Sequence, residues 1–442
     1  MSNIKAQRID WSSLNTEQRR QVLRRPAQDN ASELLQRVQV IINEVRTRND
    51  VALREMTEKF DGAKLQSLQV SDEEFAAAEK VLSATQVAAL QRAISNVQRF
   101  HEAQLSAPLK VEMAPGIVCE RHTRPIDAVG LYVPAGTAPL PSTAIMLAVP
   151  ARIANCPTRV LCTPPRRDGS VDPAVLVTAK LCGVNRVFKL GGAQAIAAMA
   201  FGTTSVPKVD KIFGPGNRWV TAAKMLVAND ADGAALDLPA GPSEVLVIAD
   251  DSANAAFVAA DLLAQAEHSV DAQAVLVTTS NALVDAVLGE LGQQTARLSR
   301  NETLLTALSH ARLIVVDNLE TAFDVSNSYA PEHLIVQVKD ARNWLPTIRN
   351  AGSVFLGQWT PETMGDYCSG TNHVLPTYGF ARAYSGLSLM DFMKRITVQE
   401  LTSAGLQDLG PTAITIADME GLDAHANAVT VRLNSLTKGA TL

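Results

Sequence analysis

Cysteine is scarce in this chain of 442 residues: Cys119, Cys156, Cys162, Cys182 and Cys368 are all there are, with no Cys-x-x-Cys pair among them. That spacing excludes a disulfide framework and a cysteine-based zinc ribbon, and it fits a reducing compartment. Long apolar runs are missing as well, and none approaches the ~20 residues of a membrane span. The opening MSNIKAQRIDWSS has no apolar signal-peptide core, so a cytoplasmic location and no membrane partner are expected. Charge of one sign is lacking too. Lys and Arg number 40 against 45 Asp and Glu, a net charge of -5 with the signs interspersed. No basic stripe is offered to a phosphate backbone, which argues against nucleic acid. The G-x-G-x-x-G fingerprint of dinucleotide-binding folds is also absent;.

What is present is an ordinary globular balance, 47% apolar and 19% charged, in a chain long enough for two or three domains. Residues 1 to about 110 carry helical periodicity, as in Leu34, Val38, Ile41, Ile42 and Val45;. Ser71-x-x-Glu74 and Ser83-x-x-Gln86 have the form of capping boxes;. From about 127, short β-type runs alternate with helical stretches: Val129–Val133, Val160–Thr163, Val187–Leu190, Lys211–Phe213, Val245–Ile248, Ala274–Thr278 and Leu313–Val316. That alternation predicts βαβ units and largely parallel sheet. The runs form two clusters separated by the Pro/Gly-rich segment Asp237–Ser243;. After about 385 the chain reads as a polar tail with one late helix.

Seven histidines make their placement informative. His101, His122 and His310 have no companions at ligand spacing and read as surface or satisfied core residues. Gln265-Ala-Glu-His268 closes a helix running from about Asn254, so Gln265 and His268 share a face at i,i+3 and can reach one ion. The plainer alternative is a histidine favoured by a helix C-terminus. Pro331-Glu332-His333 precedes the apolar run Leu334–Val336, where a Glu and a His are acid–base material. Adjacent side chains diverge, so the two would act on different atoms; the alternative is a solvated loop pair. Gly365-Asp366-Tyr-Cys-Ser-Gly370-Thr-Asn-His373 is a polar loop in which Asp366 and His373 converge if the chain folds back at Gly370. Glu420 and His425 frame the start of the last helix. For a nucleotide there are Gly191-Gly192-Ala-Gln194 after a strand, Gly214-Pro-Gly216-Asn217 before a helix, and the strand end Gly130-Leu-Tyr132. Such turns either aim backbone amides at a phosphate or simply need small residues.

Taken in order, the stretches GLYVPAGTAPLPST, LGGAQAIAA, VDKIFGPGN, DLPAGPSEVLVIAD, DLLAQAEH, YAPEHLIVQ, AGSVFLG, GDYCSGTNHVLPTYG, TVQEL and LDAHANAVTVR resemble the histidinol dehydrogenase family over nearly the whole chain. The resemblance implies two Rossmann-like parallel-sheet domains without the glycine fingerprint, at 127–240 and 241–385. A mostly helical region at 1–126 would pack on the second domain and on a dimer partner. A tail at 386–442 would complete the partner's site. It implies oxidation of L-histidinol to L-histidine through L-histidinaldehyde, with one Zn2+ per subunit and two NAD+ reduced in turn. Zinc ligands fall on Gln265, His268, Asp366 and His425, and the acid–base pair on Glu332 and His333. Substrate contacts fall on Ser243, His373 and Glu420 together with His333 and the zinc ligands. Dinucleotide contacts fall on Tyr132, Gln194 and Asn217. Ala135 stands where the family usually has Gly, and Cys368 where it more often has Ala. Three other readings compete: a related dehydrogenase of another small alcohol, a zinc hydrolase using Glu as base, and a binding module without turnover.

Overall fold

The fold is described from a computed structural model, covering residues 4–25, 31–135, 138–239 and 241–438. Gly136, Thr137 and Ala240 of the motifs quoted above lie outside the described residues. Among those described, the strands in chain order are β1 (Gln7–Asp10), β2 (Leu109–Ala114), β3 (Ile117–Pro125), β4 (Ala128–Tyr132), β5 (Thr158–Thr163), β6 (Arg186–Lys189) and β7 (Lys211–Phe213). They continue with β8 (Ala235–Leu236), β9 (Glu244–Ala249), β10 (Gln273–Thr278), β11 (Arg312–Val315), β12 (His333–Gln337), β13 (Ser353–Leu356) and β14 (Met393–Leu401). The chain forms two compact units, Met1–Gln104 with Ile126–Phe392, and Leu105–Pro125 with Met393–Leu442.

The first unit holds two sheets, ordered β6-β5-β4-β7-β8 and β1-β11-β10-β9-β12-β13. Every pairing in both is parallel. The central strands explain why: β9, β10 and β12 are buried at every position, as strands covered by helices on both faces must be. Strand order reverses between β4 and β7 in one sheet and between β9 and β12 in the other. Such switch points leave a crevice for ligands.

The sequence placed β4 to β7 and β9 to β12 but not β1, β8 or β13, and both capping boxes form as expected at Ser71 and Ser83. Three expectations need correction. Residues 7–10 are not helical but add the edge strand β1 beside β11, where the alternation of a four-residue strand is too short to register as a period. The helices Ala31–Arg48 and Asp50–Asp61 do not pack on the second parallel sheet. Val38, Ile42, Val45 and Leu53 share a core with Ala195, Met199 and Val220, next to the first sheet. The physical reason is the helix Gly192–Phe201, which is buried from Ala193 through Ala200 and needs an apolar cover on its outer side. Lastly, the C-terminal segment is more than a polar tail with one helix. β14 pairs antiparallel with β3, and β3 with β2; the helices Ser403–Met419 and Asp423–Lys438 follow. Gly410 lets them pack closely, since a Cβ there would meet Val429 Cγ1 at 3.1 Å. Among the described residues no helix is long and apolar enough to cross a membrane.

Candidate active site

The helix Leu319–Tyr329 stops at Ala330, which takes a left-handed φ of 55°, and Pro331 cannot resume it. The chain then enters β12 with Glu332 and His333 at its amino end, next to the amino end of β9. Both side chains turn to one residue there. Glu332 Oε2 accepts the Glu244 N–H at 2.8 Å, and His333 Nδ1 donates to the Glu244 carbonyl at 3.2 Å. A carbonyl only accepts, so Nδ1 carries the hydrogen. Nε2 lies 3.3 Å from Asp366 Oδ1 without an aligned hydrogen bond. The expected divergence of the two neighbours is therefore wrong: His333 Nδ1 is 3.7 Å from Glu332 Oε2, because Glu332 precedes the extended strand.

Glu332 and His333 are only 6% and 4% exposed, which rules out a solvated loop pair. Burial pushes the Glu332 carboxyl well above the usual carboxylate range, against the opposing pull of His333. For His333 burial works in the other direction, but Glu332, Asp366 and Glu362 outweigh it and raise the imidazole. Glu362, at 1% exposure, has an oxygen 4.0 Å from His333 Nδ1 and neither of its oxygens is hydrogen-bonded. Burial raises its carboxyl too.

Asp366 lies in the last turn of the short helix Glu362–Tyr367. The following loop folds back at Gly370, whose φ is 122° and whose Cβ would meet the Asn96 carbonyl at 2.9 Å. His373 Nδ1 reaches the Asp366 backbone carbonyl at 2.8 Å, not its carboxylate, and His373 Nε2 lies 3.3 Å from Thr143 Oγ1. Asn96 and Asn372 anchor the loop through Cys368 O and Met146 O, both at 2.8 Å. Burial would raise the Asp366 carboxyl, yet His333, His373 and His268 hold it below the usual range.

Asn254 caps the helix Ala255–Ala266. Gln265 is fully buried, and both atoms of its amide lack a partner. His268 lies past the helix end rather than on its face, exposed, with Nδ1 on the Ala264 carbonyl at 3.0 Å. Among the described residues no group of three or more His, Cys, Asp or Glu is arranged to hold a metal ion. The first unit instead offers an orphaned buried amide, an imidazole with Nε2 free and an ionised carboxylate, a nitrogen and oxygen donor set that fits a zinc-type ion. Glu420 caps the end of the helix Ser403–Met419 and His425 lies in the first turn of the last helix, both exposed in the second unit.

The other parallel sheet carries the nucleotide candidates at its carboxyl ends. Tyr132 closes β4, and its hydroxyl accepts the Gly192 N–H at 3.0 Å. Gln194 is 2% exposed in the helix that Gly192 opens. Asn217 caps the next helix through the N–H groups of Trp219 and Val220 at 3.0 and 3.2 Å. Gly214 has a φ of 121° and no room for a Cβ, which would sit 2.1 Å from the Tyr132 carbonyl. Ser243 is half-buried immediately before β9. Sequence reasoning missed Glu244 and Glu362. For Glu244 a signal existed: an acidic residue directly ahead of the five-residue apolar run Val245–Ala249.

Glycine turns closing one parallel sheet and a buried Glu–His pair opening another are the parts of an α/β enzyme. Comparison with known proteins narrows this further. The histidinol dehydrogenase pattern matches residues 23–433, and the chain belongs to that family. It is 57% identical to the histidinol dehydrogenase of Xanthomonas campestris pv. campestris over 96% of this chain and 98% of that one. With that of Vibrio cholerae serotype O1 it shares 54% identity over 97% and 99%. The crystal structure of histidinol dehydrogenase from Elizabethkingia anophelis superposes with a TM-score of 0.95 at 44% identity, covering 99% of this chain and all of that one.

Proposed function

We propose that this chain oxidises L-histidinol to L-histidine through L-histidinaldehyde in the cytoplasm, using zinc and two NAD+ in succession. The observation that carries the reading is the buried Glu332–His333 pair held on Glu244 beside Asp366. Gln265, His268, Asp366 and His425 would hold the zinc, and Tyr132, Gln194 and Asn217 the dinucleotide. Zinc held there would supply a cation for Asp366 and for the substrate nitrogens, and NAD+ would supply the hydride acceptor.

The protein's own part is proton handling. With Nδ1 committed to the Glu244 carbonyl, Nε2 is the His333 atom that would exchange a proton with the carbinol hydroxyl, as base once the imidazole that its carboxylate neighbours favour in the protonated form has lost that proton. Glu332, raised by burial, is poised near neutrality to take a proton from the water that hydrates the aldehyde. Ser243, His373 and Glu420 would position the substrate. Holding the aldehyde between steps avoids releasing a reactive carbonyl. The direct test is NADH formation on adding L-histidinol, with and without a chelator. Two NADH per histidinol, little free aldehyde and loss of activity on chelation are expected. One NADH with aldehyde accumulating, or hydrolysis without NAD+, would overturn the reading.

The active form is a homodimer in which Glu420 and His425 serve the partner's site. Supporting this, the second unit leaves Leu109, Val111, Met113, Ile396, Ile416 and Met419 exposed, an apolar surface suited to a second copy. Mixing inactive Glu332→Gln and His425→Asn chains should restore about a quarter of wild-type activity per site, since random exchange makes about half the dimers mixed and one site in each is whole. Proven heterodimers without activity would place each site within one chain.

A further inference from the structure

Arg25 and Glu244 form a bidentate ion pair, Nε to Oε1 at 2.7 Å and Nη2 to Oε2 at 2.6 Å. The side chains are 8% and 0% exposed. The same Arg25 Nη2 donates to the carbonyls of Tyr329 at 2.9 Å and Ala330 at 3.3 Å, and its guanidinium lies 3.9 Å from the Tyr329 ring centre. Tyr378 N–H also donates to Glu244 Oε1. One side chain from the N-terminal segment thus ties the left-handed Ala330 turn, two residues before Glu332, to the residue that opens β9.

A buried ion pair seldom stabilises a fold more than well-packed apolar residues of the same size, so its presence calls for a use. Glu244 is also where both members of the acid–base pair end: its N–H holds the Glu332 carboxyl and its carbonyl holds His333 Nδ1. We infer that the Arg25–Glu244 clamp is a positioning device for Glu332 and His333. It fixes the two peptide groups that flank the Glu244 Cα and the turn that delivers the pair. It thereby sets the imidazole tautomer and leaves Nε2 facing Asp366. Neither Arg25 nor Glu244 needs to touch substrate. The inference rests on the functional reading given above and deepens it by naming what orients the base.

The test separates positioning from mere stabilisation by measuring melting temperature, kcat, and KM for L-histidinol and NAD+ on the purified, zinc-loaded enzyme. Arg25→Met leaves Glu244 buried without a counter-charge and should lower the melting temperature. Where it folds, kcat should fall about 10–100-fold, the scale of a misplaced catalytic group, with each KM within about 3-fold. The double variant Arg25→Met/Glu244→Gln removes both charges and should regain melting temperature while kcat stays at least about 10-fold low. Arg25→Lys keeps the charge, so it should fold, but a single ammonium cannot replace the fork across Glu244 and two carbonyls; its kcat should also fall with KM unchanged. Wild-type kcat in the double variant or in Arg25→Lys, or a loss confined to KM, overturns the inference. Wild-type enzyme that forms no NADH with histidinol would instead refute the functional reading, so the two failures are distinguishable.

Discussion

The two parallel sheets of the first unit carry their candidate polar groups at opposite ends. Around β4, β6 and β7 the polar groups gather at the carboxyl ends, and they are largely backbone: the Gly192 N–H on Tyr132 and the helix start capped by Asn217. Around β9 and β12 they gather at the amino ends, and they are side chains: Glu332 and His333, with Glu362 and Asp366 at 4.0 and 3.3 Å from the imidazole. The first arrangement presents helix starts, the usual place for a phosphate, though the amides of Gly192, Trp219 and Val220 are already bonded to Tyr132 and Asn217. The second concentrates ionisable groups where burial can shift them, which is what proton transfer needs. Parallel architecture alone does not decide which end of a sheet carries chemistry.

The sharpest way to break this contrast is at the pair itself. Glu332→Gln should slow oxidation of added histidinaldehyde more than that of the alcohol, while His333→Asn should damage the alcohol step, each by roughly 10²–10⁴-fold. Equal and small losses on both substrates would remove the division of labour. A smaller effect is expected at Asp261, whose carboxyl burial pushes up to about 7 despite the Gln337 amide, which donates to it at 2.7 Å. An ordinary aspartate ionises near 3.8, so between those values the folded chain keeps a proton that the unfolded chain releases. This contribution to stability is full below about pH 4 and is lost as pH rises through about 7. Thermal melts of Asp261→Asn from pH 4 to 8 should lack that decline, a difference on the order of a few kcal/mol; parallel curves for variant and wild type would show that Asp261 is not the titrating group. The least costly change lies on the other sheet. Asn217→Ala should lose about 1 kcal/mol of cap energy, whereas Asn217→Ser keeps the cap and hence the melting temperature. If Asn217 also contacts the dinucleotide, both variants raise KM for NAD+ and leave kcat alone. A serine variant with wild-type KM would confine Asn217 to its capping role.

Much of this was legible in the sequence, and for identifiable reasons. Strands β4 to β7 and β9 to β12 announced themselves because each is a short apolar run between helical stretches, and the Ser71 and Ser83 boxes because capping is a local rule. The glycine turns and the loop from Asp366 to His373 could be marked because backbone freedom and polar loops leave a local trace. Other features left none. The strand β1 is four residues long and takes its place only by pairing with β11, some three hundred residues away. His268 was set on a helix face that ends two residues earlier, since propensity does not fix the last turn.

What the sequence by itself determined is the alternation of strand and helix, the family pattern and the residue types available for chemistry, all of which depend on neighbours a few positions apart. Only the tertiary structure decided that Arg25 closes on Glu244, that the Glu244 backbone gathers Glu332 and His333, and that burial raises the Glu332 carboxyl while the carboxylates gathered around His333 raise its imidazole. Those outcomes depend on which distant side chains exclude water from one another, and desolvation has no period along a chain.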